Sequence, residues 1–66
     1  MSDYVINKYG VKIEYDVAVN LMDDVIREQI HNRLPCTRQH FFNVYCREHE
    51  KVYDAPWILD TPNPTI

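Results

Sequence analysis

Apolar and polar residues alternate with period two over Val11–Tyr15. Val11, Ile13 and Tyr15 are apolar, and Lys12 and Glu14 between them are polar. This is the pattern of a strand with one buried face. Tyr4, Val5 and Ile6 form an earlier run of β-branched and aromatic residues. The only glycine, Gly10, lies between the two runs. A tight turn or bulge there calls for the positive φ that glycine adopts at least cost. Residues 3–15 therefore predict a β-hairpin.

From residue 17 the period lengthens. Ala18, Leu21, Met22, Val25, Ile26 and Ile30 recur at three- and four-residue steps, as on the apolar face of a helix. Asp16 is the expected N-cap of a helix over 17–33. A break near Met22–Asp23 is the alternative, with Asp23 or Asp24 capping a second short helix. Asn20, Asp23, Asp24, Arg27 and Glu28 make the opposite, wet face. Pro35 ends this helix at Arg33 or Leu34. Thr37 is a good cap for a helix over 38–50. Its apolar side would hold Phe41, Phe42, Val44, Tyr45 and Val52. The short connection makes the two helices neighbours. Ala55–Leu59 is a short apolar run interrupted by Pro56. It reads as a third, edge strand or an extended segment on the core. Two prolines within Asp60–Ile66 favour extended backbone.

The expected fold is α+β: a small single domain over residues 1–60, with a β-hairpin, two antiparallel helices and a short C-terminal strand, then an extended tail over 61–66. The expected core is Val5, Ile13, Leu21, Met22, Val25, Ile30, Phe41, Phe42 and Tyr45.

Sixty-six residues leave little material for a cleft, because a chain this short buries only about 60% of its unfolded surface. That argues against an enzyme. The formal net charge is −3, whereas nucleic-acid binders of this size carry a basic excess. The charge is uneven. Residues 1–30 carry −3, residues 31–51 carry +2 and residues 52–66 carry −2. No secretion signal or membrane-length apolar run is visible. Cys36 and Cys46 are ten residues apart, too far for a disulfide if the interval is mostly helical. Two free thiols fit a reducing, cytoplasmic setting.

Three residue constellations could carry a function. Cys36, His40, Cys46 and His49 have ligand-like spacing, but His40 and Cys46 are separated by a rise of about 9 Å on one helix. Zinc needs every donor at one point. A smaller set of His31, Cys36 and His40 at the interhelical turn stays open. Cys46 and His49 can touch at i and i+3, but nothing marks an oxyanion hole or an activated thiol. One glycine excludes the phosphate-cradling loops. No catalytic residue, cofactor or metal is therefore assigned. Arg38, Gln39 and His40 open the second predicted helix and could enter a major groove. This makes a helix–turn–helix-like DNA-binding regulator the alternative function, predicting Arg38, Gln39 and Arg47 on one surface.

The remaining features are surfaces. The acidic helix face, with Asn20, Asp23, Asp24, Arg27 and Glu28, could imitate phosphate spacing and occupy a basic groove on a protein. Six large aromatics (Tyr4, Tyr9, Tyr15, Tyr45, Tyr53 and Trp57) exceed what a small core hides, and the C-terminal tail could dock on another chain. The runs Ala18–Glu28 and Pro35–Tyr45, with His49-Glu50, resemble small orphan proteins of phages and integrative elements of Gram-positive bacteria. The resemblance spans nearly the whole chain and transfers no site residue. Some proteins of that kind are anti-CRISPR inhibitors, which bind a CRISPR effector and block it. The resemblance thus implies a small non-enzymatic inhibitor or adaptor that occludes a larger host or mobile-element protein.

Overall fold

The computed structural model describes residues 3–33 and 37–61. Strands β1 (Tyr4–Ile6) and β2 (Lys12–Glu14) form an antiparallel pair in the register Tyr4↔Glu14, Val5↔Ile13, Ile6↔Lys12. Val5 is fully buried and Ile13 packs against the core beside it. The turn closes through Gly10 N–H to the Asn7 carbonyl at 3.0 Å and Asn7 N–H to the Val11 carbonyl at 3.1 Å. Gly10 has φ 83°, as expected from the sequence. The Asn7 side chain stabilises the loop from inside. Its Oδ1 accepts from the Tyr9 and Val11 amides at 2.9 and 3.0 Å, and its Nδ2 donates to the Leu59 carbonyl at 3.0 Å. Buried amides need such partners, and Asn7 is only 6% exposed.

Three helices follow: α1 (Tyr15–Leu21), α2 (Asp24–Arg33) and α3 (Arg38–Tyr53). The first starts earlier than the expected cap at Asp16. Glu14 is the N-cap and makes no side-chain cap bond, while Asp16 sits in the first turn. A negative charge there favours the helix through the unpaired N–H groups at its start.

The break between α1 and α2 decides which residues are buried. Met22 is extended (φ −73°, ψ 148°). Asp23 Oδ1 accepts from the Val25 and Ile26 amides at 3.0 and 3.3 Å, capping α2. This is the alternative allowed by the sequence, and it re-phases the second helix. Ala18, Met22, Ile26 and Ile30 point inward, whereas Leu21 is 51% and Val25 is 65% exposed. The expectation of Leu21 and Val25 in the core is therefore corrected, because one continuous helical period does not cross the break. Val52, placed on the apolar side of the last helix, is also exposed.

Thr37 caps α3 as predicted, its Oγ1 accepting from His40 N–H at 3.2 Å. Helix α3 runs to Tyr53 and ends on Asp54 in the left-handed region (φ 54°), which Asp tolerates better than most residues. Contacts between α2 and α3 run in opposite chain order. His31 lies against Phe41, with ring centroids 4.5 Å apart, and Asp23 meets Tyr45 and Tyr53. The two helices are thus antiparallel. Phe41, Phe42, Val44, Tyr45 and Cys46 supply most of the buried surface of α3. Burying a side chain as large as Phe42 contributes roughly 1.5–3 kcal/mol relative to exposure.

The expected C-terminal strand is absent from the described residues. Ile58–Asp60 is a single 3-10 turn, preceded by Trp57 in extended backbone. Trp57 is buried against Tyr45 and Phe42, at centroid distances of 4.5 and 5.8 Å. The edge of β1 offers no room for another strand at Ile6. The Gln39 side-chain amide takes the Ile6 N–H at 2.7 Å and the Ile6 carbonyl at 2.8 Å, so a strand edge is closed by a helix residue. The segment is fastened instead by Asn7 to Leu59 and by Lys8 Nζ to Asp60 Oδ2 at 3.3 Å. No helix among the described residues is long and apolar enough to cross a membrane. The tail beyond Thr61 and the segment 34–36 lie outside the described residues.

Candidate protein-binding face

The outer sides of α1 and α2, joined through Met22 and Asp23, carry mostly polar residues with apolar ones between them. On α1, Ala18 and Met22 face the core, so the opposite side presents Asp16, Val17, Asn20 and Leu21, all exposed. On α2, Ile26 and Ile30 face inward, and Asp24, Val25 and Glu28 are exposed. Arg27 is half-buried and ties the helices together. One guanidinium nitrogen donates to Asp24 Oδ1 at 2.8 Å and the other to the Val19 carbonyl at 3.5 Å.

Asp23 lies at the junction and is less free than the sequence suggested. Besides capping α2, its Oδ2 accepts from the Tyr53 hydroxyl at 2.6 Å, and its N–H donates to the Tyr45 hydroxyl at 2.7 Å. The Tyr53 bond, followed by the Ile26 amide, holds its carboxyl below the ordinary value. The same bond raises the Tyr53 hydroxyl above its own ordinary value. Of the five residues predicted for partner contact, Asn20, Asp24 and Glu28 are exposed, and Asp23 and Arg27 are half-buried.

The electrostatics of this face stand apart from the rest of the chain. It carries four acids (Asp16, Asp23, Asp24 and Glu28) and one base, Arg27, which equals the whole formal net charge of −3. Everything outside it balances to zero. Asp16 and Glu28 have no ion-pair partner among the described residues.

Elsewhere the candidates resolve differently. Of the residues proposed to read a groove, Arg38 pairs with Asp3 at the surface and lies over the Tyr15 ring at 5.0 Å, and Gln39 clasps Ile6, while His40 and Arg47 are exposed. An open groove of about 670 Å³ runs between the hairpin and α3. Its charged lining is balanced, with Lys8 and Arg47 against Glu50 and Asp60. Lys8 is raised above its ordinary pKa, chiefly by its hydrogen bond to Asp60. The Cys46 thiol beside it is pushed up to about 12 by burial, the reverse of what a nucleophile needs. His49 is directed elsewhere, with Nδ1 3.2 Å from the Ala55 carbonyl and its ring 4.6 Å from that of Tyr53. Of the small metal set, His31 packs on Phe41, His40 is exposed, and Cys36 lies outside the described residues. Among the aromatics, Tyr45 and Trp57 are core, and Tyr4, Tyr9 and Tyr53 are half exposed.

Sequence reasoning missed the buried pair Asn7 and Asp60, at 6% and 5% exposure. The Asn7-to-Gly10 spacing was the available signal for the first, since Asn side chains bond the backbone two residues on in turns. Asp60 carried no local signal, because its partner is 52 residues away.

Fold and face together define a small acidic α+β domain with its formal net charge of −3 gathered on the outer sides of two helices. The sequence model of the family described as anti-CRISPR protein AcrIC5 matches residues 6–57, which include β1's last residue, both helices of the face and α3. The chain belongs to this anti-CRISPR family. The anti-CRISPR likeness expected from the sequence is thereby borne out. No curated protein matches the chain.

Proposed function

We propose that this protein is a non-enzymatic inhibitor that blocks a CRISPR effector by covering a basic surface with the outer face of α1 and α2. Asn20, Asp24, Arg27 and Glu28 make the contact, and Asp23 fixes the helix junction that presents them. The observation that carries this reading is the concentration of the entire net charge of −3 on that face. CRISPR effectors hold their nucleic acids in positively charged channels, and an acidic face of fixed geometry is complementary to such a surface. Complementary charge speeds association and fixes orientation. The DNA-binding alternative loses its support because Arg38 and Gln39 are already used within the fold.

The test is interference by an active CRISPR system against a targeted plasmid, with and without the protein co-expressed. Expression of the parent should restore plasmid survival. Inhibition of the purified effector should saturate near one inhibitor per effector, whereas substoichiometric inactivation would point to catalysis. Asp24→Lys with Glu28→Lys should stay folded with a slightly lower melting temperature, since the first turn of α2 loses an acid and its surface pair with Arg27, effects of about 1 kcal/mol together. The same pair should lose inhibition. Full inhibition by this variant would place the contact elsewhere on the molecule.

A further inference from the structure

An acidic surface made only to imitate a charged ligand would have no use for exposed aliphatic side chains. This face has three. Val17 and Leu21 are four residues apart on α1 and share its outer side, and Val25 follows just past the break. They are 46%, 51% and 65% exposed. Tyr53, half exposed, reaches the same junction through its hydroxyl on Asp23. Asp16, Asn20, Asp24 and Glu28 stand beside them on the two helices. Ile6, Val11, Val52 and Ile58 are exposed elsewhere, but these three are the ones set among acids; apolar residues flanked by polar ones are what a protein–protein interface is built from, and the apolar residues carry most of the binding energy.

We infer that Val17, Leu21 and Val25 form the anchoring centre of the inhibitory contact, and that they seat on an apolar hollow of the effector protein bordered by basic residues. This rests on the proposed function and specifies its partner: protein with a desolvated apolar patch, not a purely ionic channel. Charge complementarity selects this occupant. A second copy of the chain would bring one face of charge −3 against another. A nucleic acid would meet the same repulsion from its phosphates.

The consequence is a division of labour between charge and burial. The acids govern encounter and weaken with added salt. The aliphatic centre governs residence and is insensitive to salt. The test uses the full chain and the purified, guide-loaded effector complex that the parent inhibits. Affinity is measured at about 50 mM and about 500 mM salt, which spans strong to nearly complete screening of exposed charges. Leu21→Ser with Val25→Ser is expected to weaken binding by at least about tenfold at both salts, with the folded far-ultraviolet circular dichroism spectrum retained at the assay temperature. Asp24→Asn with Glu28→Gln is expected to weaken binding mainly at low salt, through slower association. Parent-like binding of the serine variant, with the charge variant weakened, overturns the apolar centre and leaves the acidic-face inhibitor standing. Parent-like binding of both variants overturns the face altogether. If no effector is bound by the parent, the proposed function and this inference fall together. Sedimentation of the parent alone should show a monomer; a dimer abolished by the serine variant would overturn the inference by making a second copy the occupant.

Discussion

Replacing Tyr45 by Phe removes one oxygen from the core while leaving the ring. The ring is fully buried and lies 4.5 Å from that of Trp57. Its hydroxyl accepts from Asp23 N–H at 2.7 Å, at the point where α1 ends and α2 begins. Burial raises the hydroxyl pKa, so it stays neutral in this role. The variant keeps the aromatic packing and strands one backbone donor. An unpaired buried donor costs about 1–3 kcal/mol. Asp23 is half-buried, and water can partly replace the lost acceptor, so the lower part of that range applies, about 1–2 kcal/mol. In a domain this small each kcal/mol lowers the melting temperature by about 4–8 °C, giving a fall of roughly 5–15 °C. Thermal and urea unfolding followed by far-ultraviolet circular dichroism would measure it. The urea slope should be unchanged, since the surface exposed on unfolding is the same. A melting temperature within about 2 °C of the parent, against the shift expected per kcal/mol, would refute the argument. It would mean that solvent serves Asp23 as well as Tyr45 does.

The Tyr53–Asp23 pair predicts loss of stability at both ends of the pH scale. The folded Asp23 pKa lies below its ordinary 3.8, so its contribution is complete above that value and is lost as pH falls through the folded pKa. The folded Tyr53 pKa lies above 10.0, so its contribution is complete below 10.0 and is lost as pH rises through the folded pKa. Melting curves against pH should show both limbs in the parent; in Tyr53→Phe the alkaline limb should shrink and the acid limb soften. Cys46, with its thiol pushed up to about 12, should resist alkylation at pH 8 in the native protein and react fully in denaturant, read by mass spectrometry at that residue. Rapid native alkylation would show that the thiol is neither buried nor protonated.

The hairpin and the last helix were legible because their signals are local. Alternation over Val11–Tyr15 and the lone Gly10 specify the turn, and Thr37 specifies the start of α3. The C-terminal strand was misread because Ala55–Leu59 is apolar for another reason. Trp57 is a core plug, and the strand edge it would have joined at Ile6 is closed by Gln39, 33 residues away. No local pattern encodes a closure of that kind. The inward-facing set of the first helical stretch was half legible. Ala18, Met22, Ile26 and Ile30 recur every four residues, and a helical face wide enough to hold that row also captures Leu21 and Val25, which are exposed.

That same break explains why the proposed contact residues could be named by charge but not by role. A single helical phase assigns Leu21 and Val25 to the core and leaves the outer face to Asn20, Asp23, Asp24, Arg27 and Glu28. The break turns Leu21 and Val25 outward and turns Asp23 partly inward, where it holds α2, Tyr45 and Tyr53 at once. Asp23 is therefore an acid whose removal acts first on the fold. A charge reversal that includes it would confound lost binding with a displaced helix. Asp24 and Glu28 are exposed on α2, and among the described residues their only side-chain bond is the surface pair of Asp24 with Arg27; pairs of that kind contribute little to stability. Loss of inhibition at those two positions can be assigned to the contact, and loss at Asp23 cannot.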